Sequence, residues 1–146
     1  MRLTNYSDYS LRVLLYLSLN SERLSTIKEI AESYRISKNH LMKVVHHLVL
    51  AGYVESVRGR SGGLRLAKDP SKINLGKVVR ETEDDFKIVE CFDSDTNTCR
   101  IADACKLKHI LGEALFSFMK TLDKYTLQDL VSPQNKLKKS LELIEL

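Results

Sequence analysis

The chain has 146 residues, of which 43% are hydrophobic, and a formal net charge of +4. That is enough apolar material for one compact core, so disorder is not the expectation, and the longest apolar stretch, Val13–Leu19, falls far short of the roughly 20 residues a membrane span needs. The opening MRLTNYSDYS lacks the basic-then-apolar pattern of a secretory signal, and three cysteines cannot form a complete disulfide framework, so the expected compartment is the cytoplasm.

Charge is unevenly distributed. Residues 1–80 carry 14 Lys and Arg against 6 Asp and Glu, whereas residues 81–146 carry 9 against 13. A basic N-terminal part suits a phosphate-facing surface, although solvated charge of this kind is also ordinary.

Leu11, Leu14, Leu15, Leu17 and Leu19 recur at helical spacing and predict a first helix over about residues 5–20. Thr26 followed by Glu29 is a capping-box pattern ahead of Ile27, Ile30, Ala31 and Tyr34, which predicts a second, short helix. Arg35 and Ile36 make the turn, and Ser37 stands where it can cap a third helix with the apolar face Leu41, Val44, Val45 and Leu48, ended by Gly52. Two short helices across a tight turn are the helix-turn-helix signature. Tyr53, Val54 and Val57 then suit a strand, Gly59 to Gly63 a turn and Leu64 to Ala67 a returning strand, which makes a wing. Asn74 to Thr82 predicts a linking helix leading into Glu83-Asp84-Asp85 and a polar loop.

The expected DNA-reading residues follow from this placement. Ser37, Lys38, Asn39 and His40 open the third helix, with Lys43 one turn on; a recognition helix reads base edges from its first turns, where Asn suits adenine and Lys suits guanine. Arg58, Arg60 and Ser61 sit among glycines at the wing tip, which lets the backbone approach phosphate or enter a minor groove. His46 and His47 read as surface or packing residues rather than metal ligands.

All three cysteines lie in one stretch, Cys91, Cys99 and Cys105, on a loop with little that could build a core. They read as the incomplete ligand set of an iron–sulfur cluster, with Arg100, Lys106 and Lys108 supplying positive charge and Cys105 opening the next helix. Zinc held with His109 or an acid, and three reduced thiols of which one acts as a redox switch, are the alternatives; a CxxC knuckle is lacking. From Ala104 to about Leu122 a broad apolar stripe, including Leu107, Ile110, Leu111, Leu115 and Phe118, predicts a long helix that a small domain would struggle to cover, and hence a dimerisation helix, the alternative being that it packs back on the N-terminal domain. The lysine-rich tail is assigned no role.

With these pieces in place the chain resembles the iron–sulfur winged-helix regulators of transcription over nearly its whole length. LTNYSDYSLRVLLYL, IKEIAESYRISKNHLMKVVHHLVLAGYV, RGRSGGLRLA and the three-cysteine loop carry the likeness. Within that family it is most similar to the nitric-oxide-sensitive repressors, on the strength of Asp8, SKNHLMKV and the longer first cysteine gap. The resemblance implies a homodimer on double-stranded operator DNA, with one cluster per subunit, most simply [4Fe-4S]. It also implies that Asp8 of the partner subunit is the fourth ligand, with Arg12 beside the cluster. An ordinary exposed ion pair has the same Asp8–Arg12 spacing. Nitric oxide would be the signal, releasing operators of nitric oxide detoxification and nitrosative-stress genes. Relatives with a [2Fe-2S] cluster take a histidine three residues after the last cysteine; here that position is Lys108, and His109 follows as a fallback ligand. A [2Fe-2S] redox regulator and a cluster-free regulator governed by a protein partner stay open.

The expected fold is therefore mainly α with a small β-hairpin wing, a winged helix-turn-helix plus a long C-terminal dimerisation helix. The expected organisation is a DNA-binding domain over 1–82, a cysteine-bearing loop over 83–106, a dimerisation helix within 104–130 and a tail over 131–146. The sequence shows no convincing nucleophile–base pair, phosphate loop or paired-acid site, so an enzyme is not expected.

Overall fold

The computed structural model describes residues 1–143; the last part of the tail, 144–146, lies outside the described residues. Its first helix, α1 (Asn5–Leu19), starts where the Thr4 hydroxyl accepts from the Ser7 N–H. The second, α2 (Ile27–Tyr34), opens on the capping box read from the sequence, Thr26 and Glu29 each satisfying the other's backbone N–H. Arg35 then takes a left-handed conformation, φ 55°, and turns the chain into α3 (Lys38–Leu50). Ser37 occupies the cap position of α3 but its hydroxyl makes no capping bond, which leaves it exposed and free for another acceptor. The other end of α3 closes with Tyr53 N–H to Leu48 O (2.9 Å) and Gly52 N–H to Val49 O (3.0 Å), a Schellman arrangement with Gly52 at φ 77°.

The wing is an antiparallel pair, β1 (Val54–Val57) and β2 (Gly63–Leu66), in the register Val54 to Leu66 and Val57 to Gly63. Ser25 adds a bridge to Leu64 on the far side, with N–H to O distances of 3.0 and 2.7 Å, and so fastens the hairpin to the segment before α2. Helix α4 (Leu75–Thr82) is capped by Asn74. A largely irregular loop then carries the cysteines, broken by one 3-10 turn at Glu90–Phe92. Helix α5 (Lys106–Leu122) is followed by the short α6 (Leu127–Leu130) and by α7 (Gln134–Ser140).

One core lies between α1, α2, α3 and the hairpin. Val13, Leu14, Tyr16, Leu17, Ile30, Leu41, Leu48, Tyr53 and Leu64 are all buried in it. The chain beyond α5 returns to this same core: Leu127 and Leu141 are buried against it, and Leu127 N–H bonds to Ile73 O at 2.8 Å. The tail is thus a docked helix over its described part. Helix α5 behaves differently. Along its whole length only Met119 is buried, while Leu107, Ile110 and Phe116 are each about 60% exposed or more. Its base is held to α4 by paired contacts of the Arg80 guanidinium with the Asp123 carboxylate, which hold that carboxyl below its usual range. No helix among the described residues is long and apolar enough to cross a membrane.

Candidate nucleic-acid interface and cysteine loop

Packing determines which face of α3 can meet a ligand. Leu41, Val44, Val45 and Leu48 turn inward, so at about 100° per residue Asn39, Lys43 and His46 turn outward. Ser37, Lys38, Asn39, His40 and Lys43 are all exposed, as are Arg58, Arg60 and Ser61 at the wing tip. The tip needs its glycines: Gly59 sits at φ 110°, and a Cβ on Gly62 would stand 2.2 Å from Val57 O.

Ion pairing differs among the cations. Arg12, Arg23, Lys28, Arg65, Lys77, Arg80 and Lys87 each pair with a carboxylate. Lys38, Lys43, Arg58 and Arg60 pair with no acidic side chain among the described residues. The contrast is sharp within the wing, where Arg65 is neutralised by Glu55 at 2.8 Å across the strands while the two tip arginines are not. Unneutralised cations on a convex helix and a projecting tip form a surface suited to phosphate.

Asp8 and Arg12 form a bidentate ion pair (3.1 and 2.7 Å), both side chains more than two-fifths exposed. The Arg12 guanidinium also lies 5.7 Å from the Tyr9 ring and 5.8 Å from the Tyr34 ring. Tyr34 ends α2, and Tyr9 faces His40 of α3 with ring centroids 6.5 Å apart. Asp8 therefore belongs to a cluster that touches both helices of the helix-turn-helix, a connection invisible to sequence spacing. Burial pushes the Tyr34 hydroxyl up to about 12, opposed by the nearby Arg12 charge, and that hydroxyl has no hydrogen-bond partner among the described residues. His47 packs edge-on against Tyr6 at 5.7 Å and His46 is exposed, the surface and packing roles read from the sequence.

The N-terminus of α1 is tied to the start of the cysteine loop. Glu83 accepts from the Thr4 N–H at 2.8 Å, and the buried Thr82 and Ser7 hydroxyls bond at 2.8 Å. Further along, Lys87 and Asp93 pair at 2.7 Å, with the hydrogen bond from Lys87 lowering the Asp93 carboxyl, and the Cys99 N–H donates to the Asn97 side chain. Cys91, Cys99 and Cys105 are free and half-buried, and Cys105 is the cap residue of α5, where the first N–H groups of a helix favour negative charge. Cys91 lines an open groove of about 610 Å³ together with Asp103, Lys108 and His109. The loop does not gather the thiols: among the described residues no three His, Cys, Asp or Glu side chains form a metal-binding group, and neither Asp8 nor His109 completes one with the cysteines in a single chain. As a donor set the loop still fits an iron–sulfur cluster, since it offers three soft, unpaired thiols next to Arg100, Lys106 and Lys108 and consumes none in a disulfide.

Residues 3–133 match the Rrf2 family, described as iron-dependent transcriptional regulators. The chain is 58% identical to the HTH-type transcriptional regulator NsrR of Bacillus subtilis (strain 168), over 99% of this chain and 100% of that protein. It is 50% identical to the NsrR of Shouchella clausii (strain KSM-K16), over 97% and 96%. Among solved structures it is similar to CymR (YrzC), the global cysteine regulator of B. subtilis, with a TM-score of 0.73 and 26% identity over 90% of this chain and 97% of that one. The IscR of T. potens shares the fold at a TM-score of 0.74 and 24% identity, over 94% and 91%.

Proposed function

The chain belongs to the Rrf2 family of transcriptional regulators, not to a family of enzymes, and from that premise we propose that it is a DNA-binding repressor whose iron–sulfur cluster senses nitric oxide. The observation that carries this reading is the pairing of an uncompensated basic face on α3 and the wing with three free thiols on the loop that leads into α5. In it, residues 1–82 bind operator DNA, 83–106 hold the cluster, α5 within 104–130 joins two copies, and the protein acts in the cytoplasm.

Ser37, Lys38, Asn39, His40 and Lys43 would face the major groove, and Arg58, Arg60 and Ser61 the flanking backbone. Cys91, Cys99 and Cys105 would hold a cluster, most simply [4Fe-4S], with the partner subunit's Asp8 as fourth ligand. When bound, the cluster would supply iron, the atom that nitric oxide attacks. What the chain itself contributes is the connection of Asp8 to the reading head. Arg12 and the Tyr9 and Tyr34 rings link the Asp8 carboxylate to α2 and α3, so the partner that Asp8 takes bears on the placing of the recognition helix. Two such helices must match half-sites about one helical turn apart, so a small displacement is enough to weaken binding. The genes released would serve nitric oxide detoxification and nitrosative stress, as the similarity to proteins named NsrR supports.

A cluster-free regulator is the second reading, favoured by the dispersal of the thiols in a single chain. Native mass spectrometry of protein purified without oxygen, before and after stepwise nitric oxide, separates the two. A dimer carrying a [4Fe-4S] mass per subunit that is lost to nitric oxide supports the proposal. A [2Fe-2S] mass indifferent to nitric oxide points to a redox regulator, and zinc or no metal overturns the cluster.

A further inference from the structure

We propose that Met42 is a base-reading residue, placing its apolar side chain against a thymine methyl in the major groove of the operator; this rests on the reading of α3 as the recognition helix. Between residues 2 and 100 the exposed large hydrophobic side chains are Met42 (50%) and Leu50 (74%), and both lie on α3. A solitary exposed apolar side chain is ordinary on a protein surface, so position has to carry the argument. Leu50 is the last residue of α3, about 12 Å along the axis from Met42, and beyond the turns that reach base edges. Met42 lies in the reading half. It neighbours Lys38 and Asn39 one turn before it and His46 one turn after it, and it borders the outward face on the side away from His40.

The occupant follows from charge and chemistry. Lys38 and Lys43, on either side of Met42, have no acidic partner among the described residues, so a polyanion is the complementary surface. In the major groove the one apolar feature that distinguishes base pairs is the thymine 5-methyl, and the adenine paired with thymine offers the donor and acceptor that an asparagine can bridge. Asn39 and Met42, three residues apart, therefore present the two chemistries that read A·T pairs. Methionine, unbranched and polarisable, can follow the methyl without a fixed rotamer.

The test uses the full chain, purified without oxygen, selected on a random-sequence duplex library. Each thymine of the enriched site is then replaced by deoxyuridine, which removes the methyl and leaves the hydrogen-bonding edges intact. The expected result is a loss of about fourfold at one thymine per half-site, the value of one buried methyl. Met42→Ala should bind thymine and deoxyuridine duplexes equally, and as tightly as wild type binds the deoxyuridine duplex; Met42→Leu should keep the preference. A wild-type protein blind to every thymine methyl, or a Met42→Ala protein with undiminished preference, overturns the proposal. Failure to enrich any sequence overturns the reading of α3 as a recognition helix, and this inference with it.

Discussion

Replacing Arg60 by alanine isolates the electrostatic contribution of the wing. Arg60 is exposed, sits at the tip between Gly59 and Gly62, and has no acidic partner among the described residues, so its removal breaks nothing within the fold. Stability should change by no more than about 0.5 kcal/mol. In a twofold dimer the substitution removes two phosphate contacts, one per wing. Each contact contributes about 0.9 to the slope of log affinity against log salt, so that slope should flatten by about 1.8. Between 50 and 200 mM salt, the wild-type protein should then lose about twelvefold more affinity than the variant does. Fluorescence anisotropy on one duplex across that range measures both slopes. The Arg65→Ala variant is the internal control, since Arg65 is already neutralised by Glu55 and should leave the slope nearly unchanged. An unaltered slope in Arg60→Ala would refute the placing of the wing tip on phosphate.

Three further outcomes are expected. Asp8→Ala removes an exposed ion pair, so stability should fall by only a few tenths of a kcal/mol. The cysteines should still hold a cluster while operator binding loosens, and unchanged operator affinity and nitric oxide response would remove Asp8 from the mechanism. Phe116→Glu alters a side chain that is 66% exposed in one chain, so the monomer should fold normally. If that face meets a second copy, two buried rings at about 1.5–3 kcal/mol each are lost and the dimer should weaken by two to four powers of ten, as sedimentation would show. Tyr34→Phe tests the buried hydroxyl. Burial raises its pKa from 10.0 to about 12, so the folded state favours the neutral phenol; this stabilisation is complete below pH 10 and is lost as pH rises towards 12. Since the hydroxyl has no partner among the described residues, the variant should match or exceed wild-type stability at neutral pH. Above pH 10 it should resist unfolding better, and chemical denaturation at pH 7 and pH 11 would show whether the gap widens.

Much of the reading head was legible because its signals are local. The Thr26–Glu29 capping box, the glycine that ends α3 and the hairpin with its glycine tip each depend on residues within a few positions of one another. Cys105 falls at the start of α5 as its sequence position predicts. Ser37 is the instructive departure: its place in the chain marks a cap, but its hydroxyl does not bond back, because cap position and cap geometry are separate properties. Helical period already leaves Met42 off the apolar face of Leu41, Val44, Val45 and Leu48; what the structure adds is that nothing else among the described residues covers it. Likewise, the spacing of Asp8 and Arg12 suggests no more than an ion pair, since the Tyr34 and His40 contacts join residues far apart in the chain.

The amino-acid order alone determined the helix periods, the caps, the wing and the grouping of three thiols on one polar loop, because each is set by backbone preference and side-chain type over a short span. Only the tertiary structure decided which surfaces remain available. It returned Leu127 and Leu141 to the N-terminal core, left most of the apolar length of α5 open, and neutralised Arg65 while sparing Arg58 and Arg60. The physical reason is that burial and ion pairing are sums over neighbours brought together by the whole fold, and a periodic pattern specifies that a face is apolar or charged without specifying what covers it.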